Sequence, residues 1–214
     1  MSPLATRHLE NAAQIANLLS TPVRLKILQF VAQAPRSVES IAEATSESMP
    51  NISQHLKKLL GSGLLQVEKK GLTRIYTLSD ERLGVVIDQL FDLAETLSPR
   101  SPQSPSDESI STAFDDALLQ SKILRKKAVL LDVRDTYESL TTPIDGSVRV
   151  PLSELPQMLN ELSPNKEYYL ICSGRACPKA SAGVTLLRKR GFKAFRIKES
   201  PASIRLKTVK QKDL

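Results

Sequence analysis

Apolar residues recur at helical spacing through most of the first hundred positions and in short strand-like runs after that. Thr21-Pro22 opens the first clear helix, an N-cap followed by a proline whose missing N–H is no loss there. Val23, Ile27, Phe30 and Val31 carry its stripe as far as Pro35. Ser37 caps a second short helix with Val38, Ile41 and Ala42 inward. A turn, Thr45-Ser46-Glu47, leads to a third helix that begins near Ser48 and Pro50 and runs to Gly61. There Ile52, Leu56 and Leu59 face the core, and the step of about 100° per residue puts Asn51, Gln54 and Lys58 opposite, flanked by Ser53 and Lys57. His55 falls nearer the buried flank and reads as a packed histidine. Two β-like runs follow, Leu64–Val67 and Arg74–Leu78, around Lys69-Lys70-Gly71, a hairpin whose tip is basic.

Two outer stretches carry a different rhythm. Leu9, Ala12, Ala16 and Leu19, and later Leu83, Ile87, Leu90, Ala94 and Leu97, repeat at alternating steps of three and four. An average spacing of about 3.5 makes an apolar seam that wants a partner helix, either the other stretch or one from a second copy.

The pattern breaks at PRSPQSPSDES, residues 99–109, where Pro and Ser replace apolar residues and no core can be buried. Beyond it, Ala128–Val133, Ser147–Val150, Tyr168–Cys172 and Ala194–Ile197 are near-continuous apolar runs, as expected for strands covered on both faces. Helical patterns separate them: Ser153 precedes Leu155, Met158, Leu159 and Leu162, and Pro178 opens a helix with Ala180, Val184 and Leu187 inward. Strands alternating with helices predict a parallel α/β sheet. The expected organisation is a domain over 1–98, a linker over 99–112, a second domain over 113–199 and a basic tail over 200–214.

Composition sharpens this. With 214 residues, 41% hydrophobic and 25% charged, the chain has room for two modest cores. No run of about 18 apolar residues occurs, and the N-terminal stretch is interrupted by Arg7 and Glu10, so a soluble cytoplasmic protein without a membrane partner is expected. The net charge of +7 is uneven: residues 1–98 hold ten basic and ten acidic residues, and residues 121–214 hold nineteen against nine. Within the neutral first half, Lys57, Lys58, Lys69, Lys70 and Arg74 still make a local positive face over residues 48–76, opposed by Glu68 alone.

Two short helices joined by a three-residue turn form a helix-turn-helix, and a basic hairpin after it is a wing. Amide side chains can pair with adenine edges, while lysine and serine suit phosphates. The stretch SVESIAEATSESMPNISQHLKKLLGSGLLQVEKKGLTRIYTLS resembles the winged-helix domain of the ArsR family of bacterial transcriptional repressors, over about residues 10–97. The resemblance implies operator DNA as a partner, with Asn51, Ser53 and Gln54 on bases and Lys69, Lys70 and Arg74 on phosphates or the minor groove. It also implies a homodimer formed through the two outer seams. Family members that sense metals use cysteines or His and acidic groups, but residues 1–98 hold no cysteine and only His8 and His55, so no metal or other cofactor is expected.

The two cysteines, Cys172 and Cys177, sit where an apolar run breaks into CSGRAC. Two cysteines in a chain this long make no disulfide framework. They leave a half metal site, buried filler or a reactive pair. In a parallel sheet, ligands sit at the carboxyl ends of strands, and a loop whose amides converge on a helix N-terminus binds anions and stabilises a thiolate. Arg175 and Lys179 would reinforce that. LLDVRDTYE, IDGSVRVPLSEL and LICSGRACPKASAGVTLLRKRGFKAFRI resemble the rhodanese family of sulfur carriers over about residues 113–199. That implies a persulfide carried on Cys172. Gly174 and Arg175 stand two and three residues after Cys172 rather than three and five, Cys177 takes the fifth place, and Pro143 stands where a histidine is usual. The Cys-x-Gly-x-x-Cys spacing resembles that of fusions between ArsR-like repressors and rhodanese-like domains.

The sequence therefore predicts an α+β winged helix-turn-helix followed by an α/β rhodanese-like domain: a DNA-binding regulator that senses or receives reactive sulfur or oxidant through Cys172 and Cys177 from a persulfide or sulfane-sulfur donor. Two alternatives share those residues, a rhodanese-type sulfurtransferase and a regulator whose rhodanese-like domain is a non-catalytic interaction module.

Overall fold

The computed structural model describes residues 3–97, 111–114, 117–174 and 177–212, with the side chains of 3–5 and 208–212 left aside. The chain divides into two units, Met1–Leu83 and Gly84–Leu214. Among the described residues no helix is long and apolar enough to cross a membrane.

The first unit begins with α1 (Pro3–Leu19) and α2 (Pro22–Val31), followed by β1 (Arg36–Ser37), α3 (Val38–Thr45), α4 (Met49–Gly61), β2 (Leu65–Lys70) and β3 (Thr73–Leu78). Each helix starts where its capping residue predicts. Thr21 is extended ahead of Pro22, Ser37 accepts the Ser40 N–H, and Ser48 accepts the Asn51 N–H. Ser46 closes α3 with φ 57, the left-handed turn that redirects the chain into α4. Ile27, Leu28, Ile41, Ile52, Leu56 and Leu59 are all at most 1% exposed and form the core between α2, α3 and α4. The hairpin is longer than expected, because β2 and β3 pair from Leu65↔Leu78 to Lys70↔Thr73 and leave only Gly71 and Leu72 as the turn. Gly71 has φ 63, which glycine adopts without strain. A two-residue strand, Arg36–Ser37, pairs with β3 and completes a three-stranded sheet. It is too short to leave a period in the sequence.

The second unit takes in nearly all of α5 (Arg82–Leu97), then β4 (Ser111–Thr112), α6 (Ala117–Leu124), β5 (Ala128–Asp132), α7 (Thr136–Thr141), β6 (Ser147–Arg149), α8 (Leu155–Met158), β7 (Glu167–Ile171), α9 (Pro178–Lys189), β8 (Lys193–Ile197) and α10 (Pro201–Lys212). Its sheet is parallel throughout, in the order β4-β8-β7-β5-β6, which is the predicted α/β arrangement. Apolar side chains fill both faces. Leu131, Val133, Leu155, Leu170, Val184 and Leu187 lie in one cluster, and Leu130, Ile144, Ile171, Ile197 and Ile204 in the other. Gly183 allows α9 to lie against β7, since a methyl group there would collide with Leu170.

Two expectations change. The helix after Ser153 is a single turn, Leu155–Met158. The segment 200–214 is not a tail over its described part: α10 buries Ala202, Ser203 and Ile204, and Ile204 belongs to the core. Most of α5 is tied to the second unit, where Asp88 of α5 is buried and accepts the Ser200 N–H at 2.9 Å and the Ser203 hydroxyl at 2.5 Å. That carboxylate caps the N-terminus of α10 from 112 residues away, a pairing that no local pattern displays. The linker proper, 98–110, lies outside the described residues.

Candidate functional site

On α4 the outward face is as the period requires. Ser53, Gln54, Lys57 and Lys58 are exposed, while Ile52, Leu56 and Leu59 are buried. Asn51 is half-buried, and its side-chain amide donates to Glu47 Oε2 at 2.8 Å. That bond ties the start of α4 to the preceding turn, whereas Gln54 is exposed. Lys69 and Arg74 are register partners on the hairpin, so two exposed cations lie side side by side across the strands. Lys70 is exposed beside Glu68 at 3.4 Å, a surface contact that leaves its charge usable. Leu72, at the tip, is fully exposed.

His55 is half-buried, and its Nδ1 is buried without a hydrogen-bond partner among the described residues. Burial, then the charges of Arg24 and Lys58, hold its pKa below the ordinary value of 6.5, with Glu47 pulling the other way.

The outer seams are split. Leu19, Leu83 and Ile87 are buried within the chain itself. Leu9, Leu90 and Leu97 are 58%, 38% and 74% exposed, Ala12, Ala16 and Ala94 are exposed too, and Ile15, Val86 and Leu93 add further apolar surface on the same two helices.

In the second unit Cys172 follows the last residue of β7 and is 1% exposed, while Cys177 is half-buried at the N-cap of α9. The two are joined as a disulfide, with Cα atoms 6.5 Å apart. The loop closes through the Cys177 N–H, which donates to the Gly174 carbonyl at 3.1 Å, and Gly174 takes φ 107. A side chain at that φ would be strained, so the glycine two places after Cys172 serves the turn. Arg175 lies outside the described residues. Lys179 is held on Asp135 at 2.8 Å and is therefore committed to a carboxylate.

The groups that hold this loop come from the neighbouring strand β8 and from helix α7. Arg196 on β8 is 4% exposed and donates to the Gly174 carbonyl and to Ser181 Oγ, both at 3.1 Å. Ser173 is buried and its hydroxyl donates to Glu138 Oε2 at 3.3 Å, a carboxylate that is itself only 3% exposed on α7. Under α7, Arg134 and Asp132 form a fully buried pair at 2.7 Å, and Arg134 also donates to the Thr142 hydroxyl and carbonyl. The motif LLDVRDTYE contains Asp132, Arg134 and Glu138, and LICSGRACPKASAGVTLLRKRGFKAFRI contains Ser173 and Arg196, but the sequence alone singles out none of these five as a support of the loop. Arg196 sits in Ala194–Ile197, a run expected to be covered on both faces, where no local spacing names a partner for its charge; the fold supplies the Gly174 carbonyl and Ser181.

Residues 21–67 match the model of the bacterial regulatory protein arsR family, and residues 116–200 match the rhodanese-like domain. The chain is similar to the HTH-type transcriptional regulator Rv0324 of Mycobacterium tuberculosis, 27% identical over 92% of this chain and 88% of that one. It is similar to KmtR, another HTH-type transcriptional regulator of that organism, 32% identical over 42% of this chain and 69% of that one. It also resembles the putative sulfur carrier protein YrkF of Bacillus subtilis, 40% identical over 30% of this chain and 34% of that one. Capped helix-turn-helix, basic hairpin, parallel sheet and cysteine loop thus agree with both matches: the chain is a transcriptional regulator that belongs to the ArsR family and carries a C-terminal rhodanese-like domain.

Proposed function

We propose that this regulator is a cytoplasmic homodimeric repressor whose operator affinity is set by the sulfur state of Cys172 and Cys177. The observation that carries the reading is the disulfide itself, which joins the two cysteines in the loop between β7 and α9. A pair that can close reversibly at the carboxyl end of a parallel strand, beside a helix N-terminus, is suited to two-electron sulfur chemistry. The likeness to a putative sulfur carrier supports the same chemistry.

The reaction balances with a persulfide donor, RS–SH. The Cys172 thiolate attacks the outer sulfur, forming Cys172–S–SH and releasing RS⁻. The Cys177 thiolate then attacks Cys172 Sγ, forming the disulfide and expelling hydrosulfide. The dithiol loses two electrons and the sulfane sulfur gains them. For the return step Cys177 is the more accessible sulfur, so a reducing thiol attacks there and Cys172 leaves as thiolate beside the N-terminus of α9.

The route outward that this reading proposes runs within the second unit. Arg196 links the loop carbonyl of Gly174 to β8, and just beyond β8 the Ser200 N–H bonds Asp88 on α5, the helix that also carries Leu90, Ala94 and Leu97. Those residues, with Leu9, Ala12 and Ala16 of α1, are the proposed dimer seam. Asn51, Ser53, Gln54, Lys57 and Lys58 are the proposed operator contacts on α4, and Lys69, Lys70 and Arg74 those on the hairpin.

Intact-mass measurement after incubation with a persulfide donor tests the chemistry. Wild type should end about 2 Da lighter as the disulfide, Cys177→Ser should trap one extra sulfur on Cys172, and Cys172→Ser should show neither. Unmodified wild type would reduce the domain to an interaction module, and rapid turnover of thiosulfate would make it an enzyme first. Sedimentation of Leu90→Glu tests the seam, where an unchanged dimer mass removes it from the interface.

A further inference from the structure

Much of the basic excess of the second half, apart from Arg134, Lys179 and Arg196, has no part in the sites above, yet the sheet register gathers six of those cations in one place. Strands β5, β7 and β8 are parallel and start level with one another, Ala128 beside Glu167 and Glu167 beside Lys193. Arg125, Lys126 and Lys127 therefore lead into one strand, Lys166 into the next, and Arg190 precedes Lys193 at the start of the third. Neighbouring strands are about 4.8 Å apart, so six cations line an amino edge only two strand spacings wide. All except half-buried Lys166 are exposed.

None of these six forms an ion pair within 4.0 Å among the described residues. Glu167, the carboxylate on this edge, is already bonded to Lys122 at 2.7 Å and to the Tyr169 hydroxyl at 2.9 Å. A second observation is backbone strain. Lys126 has φ 55, and its N–H to Ile123 together with the Lys127 N–H to Lys122 closes α6 there. Glycine is the usual residue at such a helix end, so a lysine bears a conformational cost that a charge-bearing role would explain. The edge is also remote from the cysteine loop. Cys172 lies five residues further along the same strand, about 16 Å at the rise of an extended chain.

We propose that this amino edge of the rhodanese-like sheet is a second DNA-binding surface, which holds the phosphates of duplex DNA. Unpaired lysines and arginines spread along a sheet edge neutralise a polyanion without reading base edges. The chain already has duplex DNA as its family's partner, and this surface would add phosphate contacts of its own. It does not depend on the sulfur chemistry.

The full chain is compared with Lys126→Gln/Lys127→Gln/Arg190→Gln/Lys193→Gln and with a charge-retaining Lys126→Arg/Lys127→Arg/Arg190→Lys/Lys193→Arg. The probe is a random-sequence duplex of about 60 base pairs, and anisotropy is read between roughly 50 and 200 mM salt. Neutralising four phosphate contacts should lower the slope of log K against log salt by about three to four and weaken binding more than about tenfold at the lowest salt, while the charge-retaining variant binds as wild type. Unchanged melting temperatures confirm that both variants are folded. A wild-type slope in the glutamine variant overturns the proposal, as does equal loss in the charge-retaining one. Loss of binding to phosphatidylserine vesicles with the DNA slope intact would assign the edge to a lipid surface and overturn it too.

Discussion

Gln54 and Lys57 stand in solvent on a 13-residue helix whose opposite face is buried, whereas Cys172 is 1% exposed at the end of a strand covered on both sides. The first region places its chemistry by local periodicity alone. The second places it through bonds that reach across the sheet, from Arg196 on β8, Glu138 on α7 and the buried Arg134–Asp132 pair beneath. A surface built the first way tolerates side-chain loss without harm to the fold. A loop built the second way shares its supports with the core, so chemistry and stability are expected to fail together there.

Arg134→Ala should give the largest effect. It leaves Asp132 charged and fully buried without its partner, and strips donors from Thr142, at a cost of about 3–5 kcal/mol. Chemical denaturation would show the midpoint fall; a variant as stable as wild type would erase the contrast between the two regions. Gln54→Ala should leave stability within about 0.5 kcal/mol and instead weaken operator binding by about 1–3 kcal/mol, with little change on random DNA. Lys70→Ala should weaken both DNAs alike. Equal losses on operator and random DNA for Gln54→Ala would take it out of base reading.

These outcomes follow how much of each region the sequence displays. The recognition-type helix, its Ser48 cap and its outward residues are set by neighbours within four positions, so their placement was legible. The hairpin and the parallel strands were legible for the same reason, apart from strand ends. Arg196 and Asp88 were not, because their partners lie 22 and 112 residues away and no local spacing connects them to those partners. The burial of Leu19, Leu83 and Ile87 was hidden as well, since a heptad-like stripe looks the same whether its own chain or a second copy covers it.

Smaller effects sharpen the same comparison. Ser48→Ala removes the side-chain acceptor for the Asn51 N–H and should cost about 1 kcal/mol of stability, with Gly at that position closer to wild type. A change confined to DNA affinity would mean that the cap orients the helix without stabilising it. The smallest effect concerns His55. Burial, Arg24 and Lys58 lower its folded-state pKa, so the unfolded chain binds the proton more readily. Stability should be fully present above about pH 6.5 and decline as pH falls from there through the lower folded value. His55→Gln should flatten that decline in pH-dependent melting; an unchanged slope would place the titration elsewhere.

The measurement that bears most directly on the central claim is operator affinity against sulfur state. An operator selected by the protein from randomised duplexes is titrated with reduced, persulfide-treated and re-reduced full chain, for wild type and for Cys172→Ser. Coupling of the ordinary size for linked sites would shift wild-type affinity by about 5–150-fold on treatment and restore it on reduction, while Cys172→Ser binds with one affinity throughout. Wild-type affinity that does not move, or a shift that survives in Cys172→Ser, would contradict the account.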